Sequence, residues 1–238
     1  MCHYLKNKLQ KELKCFRFFG ILLFALILVQ GSGCARVSVE KPPVTVQEVT
    51  CDLQADEAMG RQDYETSIRL HHQFIEKKPE NELALYHLGY IYGQTGDHQK
   101  EVSFYEKAIT LGLKEDHIFF NLGMAHGELN QLEKAIDAFK EGLAVNPTSA
   151  DNYFGLALTY EKSGRDKTAE SAFKKAIEIN PEHLDARFYL SLLYQDMGEF
   201  KKARNQLREI LEIDPSYMSA RDLLDNLKME EEGEEGEK

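Results

Sequence analysis

Side chains able to do chemistry are present but scattered. The chain has eight histidines, none of them in a His-Glu-x-x-His arrangement and none at a paired ligand spacing. His71 and His72 are adjacent, so on a helix they point to different sides and cannot share a metal between them. Such histidines read as surface or packing residues. There is no Gly-x-Ser-x-Gly for an activated serine, and no glycine-rich loop follows a strand to cradle a phosphate. The expectation is therefore no catalytic residue, no bound metal, no cofactor and no small-molecule substrate.

Charge divides the chain of 238 residues unevenly. Hydrophobic residues make up 42% and charged residues 29%, and the net charge is −11, which argues against nucleic acid as a partner. Residues 1–33 nevertheless carry Lys6, Lys8, Lys11, Lys14 and Arg17 against a single acid, Glu12. An apolar run from Phe18 to Val29 follows them. It is shorter than the roughly 20 residues that span a bilayer as a helix, and it suits the apolar core of a signal peptide.

The run closes in Gly31-Ser32-Gly33-Cys34, which resembles the lipobox of bacterial lipoprotein signals. That resemblance implies cleavage before Cys34 and a lipid on its sulfur. Gly31 stands where the family usually has an aliphatic residue. The other readings of this stretch are an uncleaved signal anchor and an ordinary secretory signal. In the lipoprotein reading Ala35 is not a signal for retention in the inner membrane, so the expected location is the bacterial cell envelope, at the periplasmic face of the outer membrane. Cys2 and Cys15 would leave with residues 1–33, Cys34 would be lipidated, and Cys51 would remain alone, with no internal disulfide possible. Cys51 reads as a small apolar residue in the first helix. Residues 34–47 contain Pro42-Pro43, which bar helix there. They read as an extended tether reaching on the order of 40 Å at about 3.1 Å per residue.

The body repeats. Pro147, Pro181 and Pro215 are spaced by 34, and so are Leu88, Leu122, Leu156 and Leu190. Gly89, Gly123, Ala157 and Ser191 stay small in phase, and Tyr92, His126, Tyr160 and Tyr194 follow them. Gly96, Asn130, Gly164 and Gly198 mark a turn, and Ala135, Ala169 and Ala203 form a further series. A period of 34 with this pattern resembles the tetratricopeptide repeat (TPR) family, over 82–217 well and over 48–81 less well. The resemblance implies an all-α, right-handed superhelical solenoid of helix-turn-helix repeats. The units would be 48–81 (degenerate, with Gln54 and Ala58 in place of the expected leucine and aromatic), 82–115, 116–149, 150–183 and 184–217. A small residue at the Gly89 position lets two helices approach, and the aromatic at the Tyr92 position is expected to fill the gap beside it. Each hairpin needs its neighbours to bury its apolar face.

Departures from the pattern carry their own expectations. Glu101 stands where alanine recurs, and Leu113 replaces the proline, so the junction after the second unit is expected to be looser or differently angled. His126 reads as a packed core histidine. Residues 218–228 carry Leu223, Leu224 and Leu227 on one stripe and read as a capping helix. Residues 229–238 contain six glutamates and no apolar residue after Met229, and are expected to be a disordered, solubilising tail.

In the family, the first helix of each unit lines a concave groove. Carried over, one row of that groove is Tyr86, Phe120, Phe154 and Phe188, and its companion is Tyr90, Met124, Leu158 and Leu192. Asp151, Glu161, Lys162, Asp185, Gln195 and Asp196 would form a polar rim. Eight apolar side chains in one groove would make a patch fit for an apolar peptide or amphipathic helix; the competing reading is that the rings tuck sideways between helices. Repeats that clamp chaperone tails need lysine and asparagine at positions where this chain has aromatic and aliphatic residues; only Asn121 fits. The implied function is a non-enzymatic, membrane-anchored scaffold holding a protein or peptide partner, in assembly of pilus or outer-membrane machinery. A soluble or secreted peptide-binding module and an accessory subunit of a cell-wall enzyme are the alternatives.

Overall fold

Every regular element among the described residues is a helix, as a repeat of 34 residues with one turn signal and one proline requires. The structure is a computed structural model and describes residues 52–236. The signal peptide expected over 1–33, Cys34, the tether and Cys51 lie outside these residues. Eleven helices follow in order. The first unit is α1 (Leu53–Gly60) and α2 (Tyr64–Lys77), the second α3 (Glu82–Gln94) and α4 (His98–Leu111), the third α5 (Asp116–Glu128) and α6 (Leu132–Val145). The fourth is α7 (Ala150–Lys162) and α8 (Asp166–Ile179), the fifth α9 (Leu184–Asp196) and α10 (Phe200–Ile213), and α11 (Met218–Gly236) closes the chain. Each helix packs on the helix that follows it in the chain, which makes an all-α solenoid. No described helix is long and apolar enough to cross a membrane.

The turns inside the hairpins are set by backbone chirality. Gly96, Asn130, Gly164 and Gly198 have φ of +82°, +56°, +72° and +74°, the left-handed region that glycine enters without penalty and asparagine tolerates. Each reverses the chain so that the next amide bonds back over the helix end: Asp97 N–H to Tyr92 O at 2.9 Å, Gln131 N–H to His126 O at 2.8 Å, Arg165 N–H to Tyr160 O at 2.9 Å. This is the Schellman cap. Gln62 is the fifth member, with φ of +65° and the same bond from Asp63 N–H to Ala58 O, a turn that its residue type hides. Between hairpins the proline acts instead: Asn146, Asn180 and Asp214, each before a proline, are extended and end their helices.

Packing inside the second and third hairpins depends on a ring placed over a residue without a side chain. The rings come from the second helices, at Tyr105, Phe139 and Phe173, 34 residues apart, with Leu207 next in phase; all four are fully buried or nearly so. A Cβ on Gly89 would lie 2.6 Å from the Tyr105 ring, and one on Gly123 would lie 2.5 Å from that of Phe139. The gap beside Gly89 is thus filled by Tyr105. Tyr92, expected there from the sequence, instead stacks on Phe104 with ring centres 5.4 Å apart. Phe139 also meets the next unit, because a Cβ on Gly155 would lie 2.3 Å from the same ring. One side chain therefore joins two hairpins.

Two departures resolve differently from their sequence expectations. The junction at Leu113 is closed rather than loose: Gly112, at φ +118°, caps α4, and Leu113 N–H bonds to Ala108 O at 3.1 Å. Leu113 also packs against the cluster around Phe104, Tyr105 and Ile118. The terminal helix runs to Gly236, so the backbone expected to be disordered from 229 is helical as far as that residue. Glutamate is a good helix former and prolongs the capping helix. His126 is buried as expected, with Nδ1 2.9 Å from Gln131 Oε1.

Glu101 replaces the small alanine, and the space it needs comes from Gly93. A Cβ there would lie 2.4 Å from Glu101 Oε1. Burial pushes the Glu101 carboxyl up to about 7, although His98 Nδ1 stands 2.8 Å away and pulls it down; Glu128 adds a smaller upward push. The folded chain therefore holds this proton until about pH 7, whereas the unfolded chain releases it near 4.5. Folded stability supplied by that proton is complete below 4.5 and is lost as pH rises to 7. Urea unfolding of the native chain against Glu101→Gln from pH 4.5 to 8 should show the native chain losing on the order of 2–3 kcal/mol relative to the variant across that window. A difference independent of pH would contradict the assignment.

Candidate binding face

The first helices α3, α5, α7 and α9 carry the two rows expected to line a groove, and the structure separates them. Phe120 and Phe154 are only 8% and 6% exposed. Tyr86, Tyr90, Met124, Leu158, Phe188 and Leu192 are half-buried. Phe120 turns to Phe139 of its own hairpin, ring centres 5.9 Å apart, and Phe154 turns to Phe173 at 6.1 Å. Phe154 also meets His183, the residue that caps α9, at 4.9 Å and Tyr189 of α9 at 5.7 Å. Phe120 and Phe154 are therefore interior residues, a correction to their expected place on an open aromatic ladder. An aromatic ring held between two first helices gains more by packing sideways than by facing water.

The ends of the row are more accessible and are tied across units. Tyr86 lies 5.7 Å from Tyr105 and 5.2 Å from the His117 ring, and its hydroxyl accepts from Asn121 Nδ2 at 3.1 Å. Asn121 is thus engaged in joining the second and third units. Phe188 packs on Tyr189 and, 5.7 Å away, on Tyr217. Tyr189 and Tyr217, both half-buried, belong to this face and were missed from the sequence. Tyr189 sits one residue beyond the expected row and Tyr217 lies in the link between α10 and α11.

The electrostatics of the face are acidic. Burial, then Asp196 and Asp166, push the Glu161 carboxyl up to about 7. Tyr217 is raised to about 12, first by burial and then by Asp185, whose Oδ1 is 3.4 Å from its hydroxyl. Tyr189 is raised by burial and by the charges of Asp185 and Glu161. His183 Nδ1 accepts from Ala186 N–H at 3.2 Å, capping α9, so Nε2 bears the proton, 3.7 Å from Asp151 Oδ1. Lys162, on the same rim, donates to Gly127 O at 3.0 Å. Asp151, Asp185 and Asp196 thus give the half-buried apolar side chains of α7 and α9 a negative border, to which Glu161 adds its charge as pH rises past about 7.

Truncation should separate interior from face. Phe154→Ala should cost about 3–5 kcal/mol in urea unfolding, and Leu158→Ala, one turn along the same helix, less than half as much. Equal losses would show that Leu158 is as buried as Phe154.

Comparison with known proteins agrees with the helical-repeat fold. Models of the tetratricopeptide repeat match residues 83–111, 118–149, 150–183 and 167–227, and the chain belongs to the tetratricopeptide repeat family. Repeats of this family are protein-interaction modules. Among solved structures, that of MamA is similar, with 25% identity and a TM-score of 0.64 over 71% of this chain and 99% of that one. YrrB, described as a TPR protein with an unusual peptide-binding site, shares 21% identity with a TM-score of 0.58, over 71% of this chain and 87% of its own. PilW, a type IV pilus biogenesis factor, shares 22% identity with a TM-score of 0.62, over 67% and 74%. The last two likenesses establish the fold. No curated protein sequence matches the chain.

Proposed function

We propose that this protein is a scaffold that holds a basic, apolar segment of a partner protein against the face of α7 and α9. The observation that carries this reading is the juxtaposition of half-buried Leu158, Phe188, Leu192 and Tyr189 with Asp151, Glu161, Asp185 and Asp196. Apolar area supplies the affinity, and the acidic border selects lysine- or arginine-bearing segments and speeds their encounter. The peptide-binding site described for YrrB lends support by fold analogy. Selection of a random peptide library on the native chain should enrich apolar sequences carrying Lys or Arg. A Leu158→Glu, Leu192→Glu variant that keeps its helical content should select nothing. Acidic selected sequences, or undiminished selection by the variant, would reject the reading.

The place of action is proposed from the leader. The basic stretch, the apolar run and Cys34 favour a lipid-anchored protein of a bacterial envelope, held off the membrane by the tether and acting in assembly of an envelope complex. The fold likeness to PilW is compatible with such a role. Mass spectrometry of the mature chain should find an N-terminal, lipid-modified Cys34. An unmodified Cys34, or retained residues 1–33, would remove the anchor and leave a soluble or secreted module.

A further inference from the structure

The position that holds Tyr105, Phe139, Phe173 and Leu207 in the later units is His71 in the first. That is one of three coordinated changes at one place. Asp56 is in phase with Tyr90, Met124, Leu158 and Leu192, and His87 is in phase with Asn121, Gly155 and Tyr189. Phe139 in the third unit lies between its own first helix and Gly155 of the next. His71 likewise lies between α1, which carries Asp56, and α3, which carries His87. Where the other hairpins bury a ring or an aliphatic side chain, this one gathers a carboxylate and two imidazoles.

Their donor atoms converge. His71 Nε2 is 3.3 Å from His87 Nδ1 and 3.3 Å from Asp56 Oδ1, and His87 Nδ1 is 2.8 Å from that oxygen. Four donors placed tetrahedrally at about 2.0–2.1 Å around one ion stand about 3.3 Å apart. Two of the three separations have that value, and the third opens to it by a small side-chain shift.

Hydrogen bonding fixes which atom of His71 faces the cluster. Its Nδ1 is 3.0 Å from Ser67 O and 3.2 Å from Ser67 Oγ. The carbonyl can only accept, and the hydroxyl gives its own hydrogen to Ala55 O at 2.8 Å. Nδ1 therefore carries the proton, and in the neutral ring Nε2 presents a lone pair. A histidine held through one nitrogen by a backbone carbonyl is the usual orientation of a metal ligand. Asp56 Oδ1, though buried, receives no well-directed hydrogen bond.

We propose that Asp56, His71 and His87 bind one divalent transition-metal ion of the zinc type, with water as the fourth ligand. Two nitrogens and one oxygen suit such an ion; magnesium and calcium prefer all-oxygen sets. Sequence spacing suggested no ligand set, because the three donors come from three helices. The His71 side chain is fully buried, while those of His87 and Asp56 are 15% and 30% exposed, which leaves a path for the ion and its water. The site pins α1, whose only buried residues are Ala55 and Ala58, to α2 and α3.

The test uses the full chain freed of metal with a chelator and then titrated with Zn2+ and, separately, Mg2+. One Zn2+ per chain is expected, with a rise of several degrees in Tm that Mg2+ does not reproduce. Tetrahedral Co2+ absorption should appear in the same stoichiometry. His87→Asn, which installs the residue found at Asn121, should weaken Zn2+ binding more than 100-fold. His71→Phe, which restores the ring of the other units and so keeps the fold, should abolish both the binding and the Zn2+-dependent rise in Tm. Absence of stoichiometric uptake overturns the proposal. So does uptake that is the same in the native chain and both variants, since the ion would then be held by other histidines.

Discussion

In the second and third hairpins a ring from the second helix lies where the first helix has no side chain, and the neighbouring contacts follow from that fit. Phe139 pressed against Gly123 sets how closely α5 approaches α6, and the same ring against Gly155 sets how α7 follows them. Helices at such short range bury the flanking alanines completely, as Ala135, Ala169 and Ala203 are. The cost of enlarging either glycine is steric, since a ring enclosed by backbone on two sides cannot retreat without opening the core. This dependence of each hairpin on the next is what a solenoid means energetically.

Substitutions within the repeat come in compensating sets. Glu101 stands in for an alanine, and Gly93 provides the room. Leu113 stands in for a proline, and Gly112 caps the helix that the proline would have ended. At the start of the array Ser67 and His71 take the places of alanine and an aromatic ring, and Asp56 and His87 turn toward them from the neighbouring helices. Each set keeps the helix spacing while changing what is buried. The same logic moves Phe120 and Phe154 inward: a row that lines a groove in outline becomes, in this chain, partly the cement between first helices. The half-buried apolar side chains that remain on α7 and α9 are bordered by carboxylates.

Recurrence at 34 residues made the hairpins, their turns and their order legible, because Gly96, Gly164 and the prolines act through local backbone geometry that residue type reports directly. The Gln62 turn was hidden because glutamine adopts a left-handed angle only when the surrounding structure imposes it. The ring over Gly89 was misassigned to Tyr92, since periodicity tells which positions are buried and not which partner each one meets. The face was half legible: Leu158 and Leu192 are accessible, but whether a phenylalanine points outward or sideways depends on the neighbouring helix, as with Phe154 and Tyr189. The grouping of Asp56, His71 and His87 was invisible because it joins three helices, and no two of its members stand at a helical ligand spacing.

The central contact can be tested by asking whether Gly155 and Phe139 act as one unit. Gly155→Ala is to be measured by urea unfolding in the native background and in Phe139→Leu, which places at 139 the residue already present at Leu207. With the ring in place the added methyl should destabilise by about 1–3 kcal/mol. With leucine in its place most of that loss should vanish, and the intrinsic helix preference of alanine, up to about 1 kcal/mol, should bring the effect close to zero or reverse it. An equal effect of Gly155→Ala in both backgrounds would mean that the ring does not join the hairpins.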